Sequence, residues 1–316
     1  MQIINTKYVI MNNSKKILIV GSSNTDMVVK TSHIPIPGET ILGGAFMMNP
    51  GGKGANQAVA VARLEGNVSF ICKIGKDIFG QQTREQFRKE GIDTKYVFED
   101  EKSSSGVALI TVDEKGENCI TVAPGANMQL EINDIKQSNE AIASSDLVLM
   151  QLEIPMETVE YVAEQAASSG KKVILNPAPA CELSEKLLKS LYLITPNETE
   201  AEIISGQKVT DFESAKNAAQ IIRSKGVRNV IITMGASGCF IYTDDLCEIV
   251  PAYRVEAVDT TAAGDIFNGA LVVALSEGKG WKEAIEFGNR TSAISVTRMG
   301  AQASAPKREE VDCAEF

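Results

Sequence analysis

The sequence predicts a three-layer α/β/α protein, a mostly parallel sheet with helices on both faces, carrying a small β-sheet lid. Apolar runs of strand length alternate with amphipathic helical stretches from end to end. The runs are apolar on successive residues, which marks strands buried on both faces and therefore a parallel sheet between helices. Two segments interrupt the rhythm with Gly, Pro and alternating β-formers.

The strands read, in order, as ILIVG at 17–21, VSFICKIG from Val68, LVLMQLE from Leu147, VILNPAP from Val173, LYLITPN from Leu191 and VIITMG from Val230. Between them stand ANQAVAVARLEG from Ala55, TREQFRKEG from Thr83, METVEYVAEQAASSG from Met156 and FESAKNAAQIIRSKG from Phe212, each ending in Gly, a common helix stop. The interruptions are 31–50 and 105–124; DEKG in the second reads as a hairpin turn. Together they predict a β-rich lid whose closure would exclude water from a sheet-edge crevice, or else a plain surface hairpin. Residues 17–316 form the expected single domain, and 1–16 an N-terminal leader without the basic and apolar regions of a secretory signal.

With 31 Lys+Arg against 41 Asp+Glu, the 316-residue chain carries a formal charge of −10, which argues against a nucleic-acid partner. Its 44% apolar content suffices for a full core. No stretch approaches the length of uncharged apolar sequence that spans a membrane. Cys72, Cys119, Cys181, Cys239, Cys247 and Cys313 show no Cys-x-x-Cys pair, so zinc ligation and a disulfide framework are not expected, and a reducing cytoplasm is. The single histidine, His33, lies among turn-forming prolines, so acid–base chemistry falls to Asp, Glu or Lys.

The most informative segment is VEAVDTTAAGDIFNGALVVAL, from Val255. Small residues Ala262, Ala263 and Gly264 precede Asp265 and a strongly helical stretch. Small side chains let an anion approach the unpaired N–H groups of a helix start, where the dipole also favours negative charge. Asp265 is either a helix-start residue or, beside such an anion hole, a base for phosphoryl transfer to a hydroxyl. Asn24 and Asp26 in GSSNTDMV follow the first strand, where an Asx turn and a ligand for vicinal hydroxyls are both open readings. Glu153 in QLEIP ends another strand. In TPNETE, Asn197 and Glu200 have the spacing of a capping box or of two ligands on one helix face. GGKGA lacks the Ser/Thr that a P-loop places after its Lys.

The segment around Asp265 resembles the C-terminal signature of the ribokinase-like carbohydrate kinases, also called the PfkB family. That family's common pattern is D-T-x-G-A-G-D, and Ala262 stands here where its first glycine often stands. NPGGKGANQAVAVARL from Asn49 resembles the family's N-terminal signature, and the likeness extends over residues 17–311. It implies Asp265 as catalytic base and the N–H groups of Ala262, Ala263 and Gly264 as anion hole. Asn24, Asp26, Gly52, Lys53, Gly54, Asn56 and Glu153 become sugar ligands. Asn197, Thr233, Gly235, Gly238, Gly264 and Asn289 fall on the nucleotide site, and Glu200 on magnesium through water. Asp259, Thr261, Ser295, Arg298, Gly300 and Ser304 match a monovalent-cation site that takes potassium mostly through backbone oxygens. GGKGANQA is closest to the ribokinase branch, so the implied reaction is ATP-dependent phosphorylation of the 5-hydroxyl of D-ribose. A homodimer clasped through the β-lid is implied as well. The alternatives are a deoxyribose, hexose or nucleoside kinase of the same fold, or a non-catalytic sugar sensor.

Overall fold

The computed structural model describes residues 15–316. Of the expected leader, 1–16, only Lys15 and Lys16 lie within the described residues, and both are exposed.

Among the described residues thirteen strands form two sheets: β1 (Ile17–Val20), β2 (Asn24–Lys30), β3 (Phe46–Gly51), β4 (Val68–Gly75), β5 (Val97–Asp100), β6 (Gly106–Val112), β7 (Asn118–Ala123), β8 (Leu147–Met150), β9 (Lys172–Leu175), β10 (Leu193–Ile194), β11 (Asn229–Thr233), β12 (Cys239–Tyr242) and β13 (Cys247–Val250). The large sheet has the order β13-β12-β11-β10-β9-β8-β1-β4-β5. It is parallel from β5 to β11 and antiparallel only where β11, β12 and β13 pair.

Burial explains the apolar runs. Leu18, Val20, Val148, Met150, Val173 and Leu175 enter one core, packed by helices Met156–Ser168 and Phe212–Ser224. Their chain neighbours Ile17, Ile19, Leu147, Leu149 and Ile174 enter the other, covered by helices Lys53–Arg63, Ala263–Ser276 and Trp281–Ser295. A strand with a core on each side has no face to leave polar, hence the unbroken apolar sequence.

The chain winds outward from β1 through β4 to β5, then returns to β8 and winds the other way. The strand order therefore reverses between β1 and β8, and ligands of open α/β sheets collect beyond the carboxyl ends of such a pair. Helix Ala263–Ser276 packs against β1, β8 and helix Lys53–Arg63 at this point.

The small sheet has the order β3-β2-β6-β7, with DEKG closing the β6–β7 hairpin as predicted. Its boundaries differ from the expected 31–50. The sheet gains β2, which begins at Asn24 and pairs in parallel with β6, while residues 31–45 form a largely exposed loop. The mixed polarity of NTDMVVK hides that strand, because one of its faces carries the site and not the core. His33 sits in the loop, bonded to Glu39 at 2.9 Å and apart from the chemistry.

Candidate active site

Helix Ala263–Ser276 starts from an unusual residue. Ala262, its N-cap, adopts φ 61°, ψ 11°, a left-handed conformation costing an L-residue roughly 1 kcal/mol or more. This is the physical reason for a glycine at that point in related patterns. Ala263 N–H donates to Thr260 O at 3.2 Å and so closes the turn, whereas Ala262 N–H and Gly264 N–H have no backbone acceptor. Of the three expected anion-hole donors, Ala263 is thus committed to the turn and two remain. A Cβ added to Gly264 would meet no protein atom within 4 Å, so the chain does not need glycine there for its own packing.

Asp265, in the first turn, is 6% exposed. Its carboxylate accepts from Asn56 Nδ2 and Gln57 Nε2, each at 2.9 Å. Burial pushes its pKa up; the Lys53 charge and the two amide bonds pull against that, and the net direction is upward.

The sugar candidates converge from four elements. Gly52, at φ 88°, caps helix Lys53–Arg63, and its Cβ would lie 2.7 Å from Asn24 N, so only glycine lets the chain leaving β3 pass over the start of β2. Gly54 then seats the helix on Gly21 and Ser22. Glu153 accepts from Lys53 N at 3.0 Å, locking the loop after β8 to the helix start. Asn24, Glu153 and Asn127 line a cavity of about 210 Å³ with Val122, Pro124 and Met128. The buried Asn56 Oδ1 has no protein partner.

Lys53 is ringed by acids. Burial would lower its pKa, but Asp265, Glu153, Glu200 and Asp26 outweigh that and raise it. Asp26, on β2, is pushed up to about 6, first by burial and then by Glu153 and Asp265.

Asn197 and Glu200 make a capping box on helix Glu198–Ser205: Asn197 N donates to Glu200 Oε2 and Glu200 N to Asn197 Oδ1, both at 2.8 Å. The capping reading is therefore realised, yet Glu200 remains electrostatically coupled to Lys53 and Asp265, with its pKa raised by burial. Thr233 pairs with Asn197 in an isolated bridge, which brings the end of β11 beside it. Gly235 and Gly238 frame the turn into β12, and a Cβ on Gly238 would lie 2.1 Å from Val250 O. Asn289 is spent internally: Nδ2 donates to Val250 O and Pro251 O, and Oδ1 accepts from Cys239 Sγ. It holds the exit of β13 instead of presenting a free amide.

The expected cation positions meet where two loops join. Asp259 Oδ1 accepts from Thr261 N and Oγ1, and Oδ2 from Gly300 N at 2.8 Å. Val258 N and Asp259 N both donate to Val296 O. With both carboxylate oxygens engaged, Asp259 would offer an ion its main-chain oxygen. Ser295 Oγ and Ser304 Oγ are turned to Ser292 O and Ala301 O, and Arg298 pairs with Glu310. Among the described residues, no group of three or more His, Cys, Asp or Glu is arranged to hold a metal.

Sequence reading missed the side chains that hold these groups still. Asn127 donates to Asn24 Oδ1 at 2.7 Å and accepts from Ser23 N. Gln57 stands beside Asp265, with Asn176 and Gln151 bonded to it. A signal existed: Gln151, Asn176 and Thr195 each directly follow the last apolar residue of a strand.

Residues 14–308 match the pfkB family of carbohydrate kinases. The chain belongs to that family. It is 47% identical to a ribokinase of Haemophilus influenzae over 94% of this chain and 97% of that one. It is 39% identical to a deoxyribokinase of Salmonella typhi over 93% of this chain and 96% of that one. The structure of Arabidopsis thaliana ribokinase complexed with ribose and ATP superimposes with a TM-score of 0.87 at 30% identity, covering 94% of this chain and 97% of that one.

The elevated Asp26 pKa has a consequence for stability. Between the ordinary value of 3.8 and about 6 the folded state holds a proton that the unfolded chain has lost. The stabilising contribution is full below the lower value and gone above the upper one. Asp26→Asn should therefore stabilise the ligand-free protein at pH 7 by up to about 3 kcal/mol and raise its thermal midpoint, and the gain should shrink as pH falls toward 4. Calorimetric melting of both proteins across that range checks it; an equal difference at every pH would contradict it.

Proposed function

We propose that the protein transfers the γ-phosphoryl group of ATP to the 5-hydroxyl of D-ribose, giving D-ribose 5-phosphate and ADP. The observation that carries this reading is the buried Asp265 carboxylate in the same helix start as the Ala262 and Gly264 N–H groups, neither of which has a backbone acceptor. A sugar held by Asn24, Asp26, Asn56, Lys53 and Glu153 would present its hydroxyl to Asp265. The carboxylate takes the proton as the oxygen attacks in line, and its raised pKa makes it the stronger base. Ala262 and Gly264 N–H donate to the oxygens of the transferring group, where charge is spread in the transition state.

The residues fit a magnesium ion bound through water: Glu200 Oε2 is tied to Asn197 N, while the carboxylate as a whole lies in the field of Lys53 and Asp265. When bound, the ion neutralises phosphate charge. The joined loops around Asp259, Thr261, Ser295, Arg298, Gly300 and Ser304 suit potassium held by carbonyls, and order there steadies the turn that carries Ala262. Thr233, Gly235 and Gly238 border the nucleotide, while Asn289 supports that border from behind.

The two faces of the small sheet divide the work. Asp26, Ala108 and Val122 are paired neighbours on the face toward the cavity, which supports a lid. Met48 and Leu109 flank Met27 on the other face and are about half exposed, as is Phe46. Such an apolar strip suits the same strip of a second copy, hence a homodimer. Six free cysteines, three of them exposed, fit a reducing cytoplasm. No helix among the described residues is long and apolar enough to cross a membrane.

The second reading, deoxyribose, rests on the likeness to the Salmonella typhi deoxyribokinase. A site built to bond a hydroxyl rejects the analogue lacking it strongly. ADP release should be fastest with ribose among ribose, 2-deoxyribose, fructose and adenosine, and faster in potassium than in sodium. Preference for another acceptor would refute ribose, turnover with none would favour the sensor, and equal rates in both salts would remove the cation site.

Gly264→Ala separates folding from catalysis. Alanine is favoured over glycine within helices by about 1 kcal/mol, so the melting temperature should hold or rise. The new methyl intrudes where phosphate oxygens approach, and kcat should fall at least about tenfold. A variant of parental activity would show that Gly264 N–H is not a donor to the phosphate.

A further inference from the structure

Beneath Asp265 runs a buried chain of side chains that the proposed reaction does not itself use. Gln57 is 0% exposed and lies one residue beyond Asn56 on helix Lys53–Arg63. Its Oε1 accepts from Gln151 Nε2, and that fixes which end of the amide faces the base. Its two amide hydrogens go to Asp265 Oδ1 at 2.9 Å and Asn176 Oδ1 at 3.1 Å. Asn176 Nδ2 donates to Thr195 O at 3.2 Å, Thr195 Oγ1 to Asn268 Oδ1 at 2.6 Å, and Asn268 Nδ2 to Gly264 O at 2.8 Å. The path returns to the residue before Asp265, so it forms a closed loop from the carboxylate to the peptide that precedes it.

Each member comes from a different rigid support. Gln151, Asn176 and Thr195 follow β8, β9 and β10; Gln57 and Asn268 belong to the two helices that pack beneath them. All are buried, where an amide or hydroxyl left unpaired is costly. Apolar side chains would serve a merely structural core better, and a buried network is tolerated where it fixes a geometry.

We infer that Gln57 is a positioning residue for the kinase reaction, orienting the Asp265 carboxylate and, through Asn176, Thr195 and Asn268, holding the Gly264 carbonyl so that base and phosphate-facing turn move as one unit. The inference rests on the kinase reading of the site. It assigns Gln57 no contact with sugar or nucleotide. Because Asp265 also faces Lys53 and Asn56 on the same helix as Gln57, Glu153 after β8, Asp26 on β2 and Glu200 on its own helix, removing one donor changes its protonation without removing the others. Loss of an amide donor to a carboxylate favours its neutral form.

The test compares the full-length protein with Gln57→Met, Thr195→Val and the double variant, following pH dependence of kcat with ribose and ATP. Gln57→Met should leave both KM values within about threefold, lower kcat about 30-fold, and move the acidic limb of the profile to higher pH by about one unit. Thr195→Val keeps its main-chain oxygen and nearly its shape, so it reports even if Gln57→Met does not fold; kcat should fall about fivefold. The double variant should be little worse than Gln57→Met alone. A parental kcat with an unmoved acidic limb in Gln57→Met, or a parental kcat in Thr195→Val, overturns the inference, and fully multiplicative losses overturn the single-unit claim. A parent protein that turns over no sugar counts against the kinase reading, which is a different outcome from an active parent indifferent to Gln57.

Discussion

Keeping one carboxylate out of water and still able to take a proton is the constraint on which the site depends. Removing an ionised carboxyl from solvent costs several kcal/mol unless the protein replaces what water supplied. Around Asp265 the replacement comes from the Asn56 and Gln57 amides and the nearby Lys53 charge. Each is delivered by the start of helix Lys53–Arg63, and that helix can start there only because Gly52 and Gly54 let it lie against the end of β1. A bulkier residue at either glycine would displace two amides and a cation together.

The same constraint answers the charge problem. A chain of net charge −10 has to hold a polyanionic nucleotide. In the proposed reaction the average field would not decide the matter, because the groups assigned to the phosphate are backbone dipoles: at the left-handed Ala262, its own N–H and that of Gly264 lack a backbone acceptor. Lys53 lies in the field of four carboxylates, Asp265, Glu153, Glu200 and Asp26, and its charge offsets part of their mutual repulsion. Strain at Ala262, a closed turn at Ala263 and an open Gly264 thus form one local device, held to the sheet by Asn268 and to the Gly300 loop through Asp259.

Much of this was legible in the sequence. Strands buried on both faces give unbroken apolar runs, so β1, β4, β8, β9, β10 and β11 stand out, whereas the short, partly exposed β5 and the antiparallel edge β12–β13 do not. Signature segments singled out Asp265, Asn56 and Lys53, because glycines forced by close backbone approach leave a pattern, and Asn24 was singled out by its place after the first strand. Strand β2 was hidden because its polar residues serve the site, and its alternation looked like a turn. The Ala262 conformation and the commitment of Ala263 N–H depend on φ and ψ, which residue type alone does not report. Gln57, Asn127 and Asn176 were overlooked for a related reason: an amide reads as ordinary until its partner, about a hundred residues away, is known.

The central claim is that Asp265 accepts the proton of the sugar hydroxyl. Single-turnover phosphoryl transfer from ATP to ribose by Asp265→Asn, with both substrates saturating, tests it most directly. The account predicts a fall of roughly 10²–10⁴-fold in rate, the usual contribution of a positioned base, with ribose still bound within a fewfold of the parent. A variant that transfers phosphate within a fewfold of the parental rate would contradict it.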